Sequence, residues 1–396
     1  MLQCQLVGSL VFTVVNVLPL QYVRTCYDKK VLLSELDYEL PADLIAQRPA
    51  EDRSASRMLI LDRSSGRIED AYFKEFPAEL KGNELMVVNN ARVIPARLFG
   101  HRAGIRAEPP GKHGLKGHLS SRIEVLLTRR IEPDVWEALV RPGRKVGIGE
   151  KLFFEGAALE AEVIWRGGYG LRRLRFRAEN GVEVSEAINR AGHVPLPPYI
   201  RRSDEESDRE RYQTVFAKNP AAVAAPTAGL HFTPAILSEL RQRGIEIIEI
   251  TLEVGLGTFQ PIRSEVLEDH VMRSEAYEIS EAAAAAIKAA RHQNRPILAV
   301  GTTVVRALED AAQKAIAAGR APEAIAAGRT FADIFIRPGH RFSLIDQLLT
   351  NFHLPQSTLL ALVCAFAGRE LVLSAYRHAV ASGYRFYSYG DCMFIR

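Results

Sequence analysis

Cysteine is scarce in this chain, with four, at positions 4, 26, 364 and 392, among 396 residues. They form no CxxC pair and no His/Cys cluster with zinc spacing, so neither a disulfide framework nor a structural metal is expected. Cys364 lies inside the apolar stretch LALVCAFAG and reads as a small core residue in a reducing compartment. No serine sits in a GxSxG context, and HExxH and P-loop patterns are absent, which removes the ordinary serine-hydrolase, zinc-peptidase and NTPase classes. The segment GLGTFQ (255–260) carries GxG without the third glycine of a dinucleotide fingerprint, which removes a Rossmann nicotinamide enzyme. Charge of one sign is lacking too. With 51 Lys and Arg against 47 Asp and Glu, the net charge of +4 permits a nucleic-acid partner without arguing for one. There is no internal repeat and no long low-complexity tract.

The longest apolar run near the start, LVGSLVFTVVNVLPL (6–20), is too short for a comfortable membrane span. MLQCQ before it has no Lys or Arg and no small-residue cleavage site follows, so residues 1–33 read as an atypical extension ahead of a working chain that starts near Val31. A secretory signal is the other reading.

What is there is an ordinary globular composition, 47% hydrophobic and 25% charged, with length enough for two or three cores. DYELPADLIAQRP (37–49) predicts a short helix opened by Pro41 and stopped by Pro49. MLILD and RIEDAYF flank a turn around Gly66 and predict a hairpin. Between 95 and 190, RIEVLLTRR, VWEALV, KLFFEG, LEAEVIW and LRRLRFR alternate at period two with closely spaced turns, which predicts a small antiparallel barrel or sandwich. Residues 101–121, rich in glycine and basic residues, read as a loop within it. From about 220 the texture changes. AAVAA, IEIIEITLEV, PILAVG and FADIFI read as strands, EAAAAAIKAARHQ as a helix behind Ser280, and TTVVRALEDAAQKAIAAG as a helix ending before Gly319. The expected fold is α/β: a larger three-layer domain (34–94 and 191–396) with an inserted all-β small-barrel domain (95–190).

In such sheets ligands bind beyond the carboxyl ends of the strands. Four of the expected strand ends are polar and glycine-rich: PTAGLHFTP after AAVAA, GLGTFQPIR after IEIIEITLEV, GTTVVR after PILAV, and RPGHRF after FADIFI. Each alone is readily a turn or helix cap. Four at equivalent ends point to a shared ligand cleft. In GTTVVR, Gly301 allows close approach, Thr302 and Thr303 open a helix whose N–H groups attract anions, and Arg306 adds a fork of donors one turn in. An N-capped helix with a surface arginine fits equally well. Gly255 and Gly257 beneath a nucleoside, with Thr258 adjoining and Phe259 beside the base, is a second reading of GLGTFQ. Glu253, His231 and His353 are the titratable candidates for acid–base work. The basic segments Arg141–Lys145, Arg172 with Arg173, and Arg201 with Arg202 read singly as solvated surface and together as a track for a phosphate backbone. In TNFHLPQSTLL (350–360), Pro355 suits a first helical turn and Ser357 or Thr358 a cap.

At these residues the sequence resembles the S-adenosylmethionine:tRNA ribosyltransferase-isomerase family of queuosine biosynthesis. The matching stretches are DYELPADLIAQRPAEDRSASRMLILD, RVIPARLFG, PLPPYIRR, YQTVFA, AAPTAGLHFT, GLGTFQPIR, AVGTTVVRALE, TNFHLPQSTLLALVCAFAG and YRFYSYGDCM, from Leu36 to the C-terminus. The resemblance implies an α/β domain with an inserted barrel, no permanently bound cofactor and S-adenosylmethionine as co-substrate. It implies ribosyl transfer and isomerisation onto 7-aminomethyl-7-deazaguanine at the wobble position of a tRNA with a GUN anticodon, giving epoxyqueuosine, adenine and methionine. A cytoplasmic monomer that engages no membrane is expected. On this resemblance Gly301, Thr302, Thr303 and Arg306 would grip a carboxylate. Thr227, Gly229 and His231 would line the ribose or adenine, and Asn351, His353 and Ser357 would face the reacting atoms. Tyr389 and Asp391 in SYGD are further substrate candidates, and Arg48, Arg57 and Arg97, with Arg201 and Arg202, would meet tRNA phosphates or form ion pairs. The family pattern has His where Glu253 and Arg273 stand, and Asp-Thr in place of Asn90-Ala91. Two other classes stay open: a noncatalytic tRNA-binding protein, and another S-adenosylmethionine enzyme such as a methyltransferase, against which the missing glycine fingerprint counts.

Overall fold

A computed structural model describes residues 30–104, 121–179, 181–253, 255, 262 and 264–396. A hairpin of β1 (Arg57–Leu61) and β2 (Ile68–Tyr72) turns at Gly66, whose φ of 74° is left-handed. β3 (Leu85–Asn89) and β4 (Ala91–Val93) follow. The chain then enters β5 (Arg97–Arg102), β6 (Arg122–Arg130), β7 (Val135–Arg141), β8 (Lys151–Phe154), β9 (Leu159–Arg166) and β10 (Leu171–Ala178), which close into a barrel in the order β10-β7-β6-β5-β8-β9. Alternation along these strands puts Leu98, Val125, Leu127, Val140, Val163 and Leu174 inside. Helix α1 (Val184–Ala191) adds Ala187 and Ile188 to that core. Arg172, expected on an RNA-facing surface, is 1% exposed: its Nε donates to Val146 O at 2.8 Å and its Nη1 to Leu171 O at 2.7 Å.

The rest of the chain supplies α2 (Asp208–Arg211), β11 (Asn219–Ala222), α3 (Pro234–Gln242), β12 (Glu246–Leu252), β13 (Glu275–Ile279), α4 (Glu281–His292), β14 (Ile297–Val300), α5 (Thr302–Ala317), β15 (Gly328–Ala332), β16 (Gln347–Asn351), α6 (Thr358–Ala367), α7 (Arg369–Ala381) and β17 (Cys392–Ile395). A nine-stranded sheet runs β15-β13-β12-β3-β14-β16-β17-β1-β2. Its central strands β12, β3, β14 and β16 are parallel, and β3 and β14 in the middle are buried along their whole length, as strands covered on both faces are. Leu85 and Val87 face a core with α4, α5, α6 and α7, while Met86 and Val88 face Phe73, Phe76 and α3. These are the three layers, and the α/β fold with its barrel is as expected.

Local chemistry sets the helix ends. Ser280 caps α4 by accepting from Ala283 N at 3.1 Å, and Thr233 caps α3 by accepting from Ile236 N at 3.2 Å. Helix α5 is buried nearly along its length, and its carboxylates act as fasteners. Glu309 accepts the N–H groups of Ser343, Leu344 and Ile345 at 2.8 to 3.1 Å, and Asp310 accepts Tyr277 OH at 2.9 Å. Three expectations change. AAVAA is no strand of the large sheet: β11 stops at Ala222 and pairs only with β4, since prolines at 220 and 226 bracket the run. The expected helix at 37–49 shrinks to a single 3₁₀ turn, Ala42–Leu44. FADIFI forms only the end of the edge strand β15, and in RPGHRF after it His340 Nε2 lies 3.7 Å from Glu309 of α5. Among the described residues no single helix is long and apolar enough to cross a membrane; α6 and α7 pass only as a pair, and they meet at a bend of 115° inside the core.

Candidate active site

Because β12, β3, β14 and β16 are parallel, their carboxyl ends (Leu252, Asn89, Val300 and Asn351) lie along one edge of the sheet. β17 runs against β16 and β1 runs with β17, so the segments before Cys392 and Arg57 reach the same edge. Above β14 and β16 the edge opens into a cavity of about 300 Å³, at the small end of the size that takes a nucleoside-like ligand. Its walls come from the 225–228 segment, the start of α5, residues 350–357, Tyr199, and the Tyr387–Ser388 pair.

Two helices begin at this cavity. Gly301 turns from β14 into α5 with φ at 95°, a conformation that favours glycine, and Thr302 and Thr303 line the wall beside it. A helix start carries partial positive charge and unused N–H groups, so a carboxylate is favoured there. Ser357, also on the wall, is the N-cap of α6 and accepts from Leu360 N at 3.2 Å; Pro355 lies before the helix, not in its first turn. On another wall the Tyr199 and Tyr387 rings are tilted by 31° with centroids 4.5 Å apart, and the Tyr199 hydroxyl is 2.7 Å from Ser388 Oγ. Aromatic faces of this kind stack on a purine.

Asn351 ends β16 beneath the cavity floor. Its Nδ2 donates to Tyr387 O at 3.1 Å and Asp391 O at 3.3 Å, and stands 3.2 Å from His231 Nε2. Its Oδ1 is buried without a hydrogen-bond partner. Thr350 precedes it and faces the other side of the sheet, where its Oγ1 is 2.8 Å from His353 Nε2. The two histidines therefore flank β16 on opposite faces. Burial holds each imidazole near pKa 3, so both are neutral at pH 7; Arg385 and Arg53 add to the effect at His231.

The sequence candidates divide accordingly. Thr227, Gly301, Thr302, Thr303, Asn351, His353 and Ser357 meet on the cavity wall. His231 does not: its ring lies behind Asn351 and against Phe73, centroids 5.3 Å apart. Gly229 serves packing, because a Cβ there would meet Phe216 at 2.6 Å and Thr214 at 2.8 Å. Arg306 has no fork to offer a carboxylate. Its guanidinium is 2.5 Å from Glu275 and donates to Ile334 O at 3.0 Å, Arg273 O at 2.6 Å and Ala332 O at 2.8 Å. Glu253 pairs with Arg329 on a separate groove beside β12, away from the cavity. Tyr389 donates to Asp208 at 2.7 Å, and Asp391 accepts from Arg57 N at 2.9 Å and Arg385 N at 2.7 Å, so both organise loops. Burial raises the Asp391 carboxyl above its usual range, against the pull of those N–H groups. Gly255 is described but lines no part of the cavity, and Gly257, Thr258 and Phe259 lie outside the described residues.

Of the arginines expected at RNA phosphates, Arg48 pairs with Glu205 at 2.5 Å and Arg202 holds Asp208 at 2.6 and 2.8 Å. Arg97 is 3.2 Å from Glu124, and Arg57 donates to Ser382 O at 2.7 Å with its guanidinium over the Tyr384 ring. Ion pairing, the other reading of these residues, describes them; Arg201 is exposed. Among the described residues no group of three or more His, Cys, Asp or Glu side chains is placed to hold a metal. Asn90 and Arg273 lie outside the cavity as Glu253 does, Asn90 in the groove beside β12. Sequence reasoning missed Tyr199 and Tyr387, although both lie within the stretches PLPPYIRR and YRFYSYGDCM that carry the resemblance.

The fold and cavity define the class: a three-layer α/β protein with an inserted six-stranded barrel and a nucleoside-sized cavity at the carboxyl edge of its parallel strands. The family model described as queuosine biosynthesis protein matches residues 33–395. The S-adenosylmethionine:tRNA ribosyltransferase-isomerase of Solibacter usitatus is 49% identical over 367 residues, covering 92% of this chain and 99% of that one. The enzyme of the same name from Moorella thermoacetica is 50% identical over 363 residues, covering 92% and 99%. The crystal structure of an S-adenosylmethionine tRNA ribosyltransferase from Thermotoga maritima is 34% identical over 92% of this chain and 100% of that chain, with a TM-score of 0.48. The chain belongs to the queuosine biosynthesis protein family.

Proposed function

We propose that this protein is an S-adenosylmethionine:tRNA ribosyltransferase-isomerase. It transfers and rearranges the ribosyl part of S-adenosylmethionine onto the aminomethyl group of 7-aminomethyl-7-deazaguanine at the wobble position of a tRNA with a GUN anticodon. The products are epoxyqueuosine in the tRNA, adenine and methionine, and the enzyme works as a cytoplasmic monomer. The observation that carries the reading is near-50% identity to enzymes of that name over nearly their full length, together with a cavity whose walls suit a nucleoside carrying an amino-acid tail.

The chemistry follows from the co-substrate. Its sulfonium acidifies the C5′ hydrogens, so a base removes one and adenine leaves as the sugar opens. The amine takes C1′, and methionine leaves as the epoxide-bearing ring forms. The start of α5, with Thr302 and Thr303, supports a carboxylate site for the methionine end, without Arg306. The Tyr199–Tyr387 wall suits the purine. His353, on the wall, is held neutral by burial and is a weak base, so it serves the reacting groups as a hydrogen-bonding partner; His231 acts through Asn351 as a positioning residue.

The test is to incubate the protein with S-adenosylmethionine and a tRNA carrying the aminomethyl-deazaguanine, following adenine by chromatography and the nucleoside by mass. The expected result is adenine with a ribosyl-derived mass gain. S-adenosylhomocysteine would establish a methyltransferase, and bound tRNA without adenine would establish a noncatalytic binder.

A further inference from the structure

The two ends of the barrel are closed differently. Helix α1 closes one, adding Ala187 and Ile188 to the barrel core. At the other, the loop after β7 (142–150) meets the turn between β9 and β10 (167–170), and a buried arginine ties them together. Arg172 Nε donates to Val146 O at 2.8 Å, its Nη1 to Leu171 O at 2.7 Å and Gly167 O at 3.3 Å, and its Nη2 to Gly143 O. The two loops touch, since a Cβ on Gly143 would meet the Cα of Gly170 at 2.9 Å. This end points away from the α/β domain. On β5, Arg97 donates to Leu196 O at 3.0 Å, beside that domain, whereas Arg102 at the other end of the strand donates to Lys145 O at 3.1 Å.

The charge on this tip is of one sign. Arg141, Arg144, Lys145 and Arg166 are exposed and join no ion pair among the described residues, and neither 141–149 nor 165–171 contains an Asp or Glu. The barrel strands beneath behave otherwise: Arg129 and Arg173 share Glu137 at 3.0 and 3.3 Å, and Arg175 faces Asp134 at 3.8 Å. Arg172, 1% exposed, is held by carbonyls, with no carboxylate paired to it among the described residues, so it adds uncompensated positive charge under both loops. At the apex stands Tyr169, 95% exposed, between Gly168 and Gly170. Its φ of 52° is a conformation that glycine adopts freely and a bulky side chain does not. An aromatic ring is thus kept in solvent, on a strained backbone, where a third glycine would fit the turn better.

On the functional reading above, we propose that this barrel tip is a docking surface for the tRNA, with Arg141, Arg144, Lys145 and Arg166 at backbone phosphates and Tyr169 stacked on an unpaired base. None of these residues lines the cavity, so the surface holds a part of the tRNA removed from the modified nucleotide. An exposed aromatic ring among unpaired cations is the arrangement that binds unpaired nucleotides, the ring taking a base and the cations its phosphates. Arg172 fixes both loops in advance, which lowers the entropic cost of docking. An anionic lipid surface suits the tip less well. The Trp165 ring is already covered, by the Arg173 guanidinium at 4.9 Å and by Gly167, which leaves Tyr169 and Ile148 to enter a bilayer.

The experiment titrates a tRNA transcript with a GUN anticodon against the protein by fluorescence anisotropy over a series of potassium chloride concentrations. Arg144→Gln/Lys145→Gln/Arg166→Gln should weaken binding by about tenfold or more and reduce the slope of log affinity against log salt by about two to three. Tyr169→Phe should bind as wild type does, and Tyr169→Gly should bind about tenfold more weakly. Tyr169→Gly relieves the left-handed backbone, so its urea midpoint should match or exceed that of wild type. In all of these variants adenine release at saturating modified tRNA should stay within about twofold of wild type, the loss appearing in KM. Arg177→Gln/Arg190→Gln, which removes two exposed cations from β10 and α1, should leave affinity and slope unchanged. Wild-type affinity and slope in the triple variant overturn the proposal, and so does an equal loss in the Arg177 and Arg190 variant. A lower urea midpoint in Tyr169→Gly with unchanged tRNA affinity overturns the stacking role. Loss of binding to phosphatidylserine vesicles in the triple variant, with tRNA affinity unchanged, overturns the proposal in favour of lipid. Wild type that binds tRNA through the tip yet releases no adenine overturns the functional reading and leaves this surface standing, and wild type that binds no tRNA overturns both.

Discussion

The two ends of the same parallel strands are built differently. At the amino end, Glu84 accepts the N–H groups of Lys81, Gly82 and Asn83 at 2.8 to 3.1 Å. Asp346 accepts from Arg291 Nη1 at 2.9 Å and Ile297 N at 2.8 Å, and Arg295 bridges Asn83 O at 2.9 Å and Glu246 at 2.7 Å. Of the groups there, among the described residues, Gln347 Oε1 alone is buried and unpaired. At the carboxyl end, Asn89 Nδ2, Asn351 Oδ1, Thr358 Oγ1 and the Tyr387 hydroxyl are all buried without partners. One end completes its hydrogen bonds within the chain; the other leaves buried donors and acceptors unpaired along the edge where the cavity opens. That is the division expected when an α/β sheet anchors itself at one edge and binds at the other.

The comparison can be broken in order of effect. Arg306 sits at the binding end yet is committed to Glu275, with side-chain exposures of 6% and 7%. Arg306→Met should therefore destabilise by about 3–5 kcal/mol, as loss of one member of a buried pair does. Folded Arg306→Met should still bind S-adenosylmethionine as wild type does, by calorimetry; a binding loss without a stability loss would restore the carboxylate-gripping role. Asn351→Ala should lower adenine release on the order of 10²-fold, because it frees the Tyr387 and Asp391 loops from β16. A folded Asn351→Ala with full turnover would mean that those loops need no tie. Glu84→Ala at the opposite end should cost about 1–3 kcal/mol in urea denaturation, with turnover per folded molecule unchanged. Reduced turnover there would show that the two ends are coupled.

Acid sharpens the same contrast. His231 and His353 have pKa values depressed to about 3 in the folded chain, against 6.5 in the unfolded one. Between those values the unfolded state binds more protons. Their contribution is therefore present above pH 6.5 and lost as pH falls toward 3, by about 1.4 kcal/mol per pH unit for each histidine. Replacing either by Gln should flatten the acid limb of the stability profile; an unchanged slope would mean that the imidazole is not buried neutral.

Much of this was legible from the chain. Period-two alternation disclosed the barrel strands, and Ser280 with the 304, 308, 311, 315 spacing disclosed α4 and α5. The carboxyl-edge location followed from strand order and glycine-rich ends, and Thr227, Gly301, Thr302, Thr303, Asn351, His353 and Ser357 do line one cavity. Other features left no local signal. β17 is four residues long and enters the middle of the sheet from the chain's end, a pairing set by tertiary contacts rather than by periodicity. AAVAA is as compatible with a buried linker as with a strand. Arg306 and Glu253 carry the right chemistry in sequence, but partners 31 and 76 residues away claim them. The Tyr199–Tyr387 wall joins residues far apart in the chain, and the positive φ of Tyr387 is not written in its residue type.

The most direct measurement is a crystal structure of the protein grown with S-adenosylmethionine. The account predicts the purine against the Tyr199–Tyr387 wall and the methionine carboxylate at the start of α5. Density for the ligand in the groove beside β12, near Glu249 and Glu253, with the cavity unchanged, would contradict it.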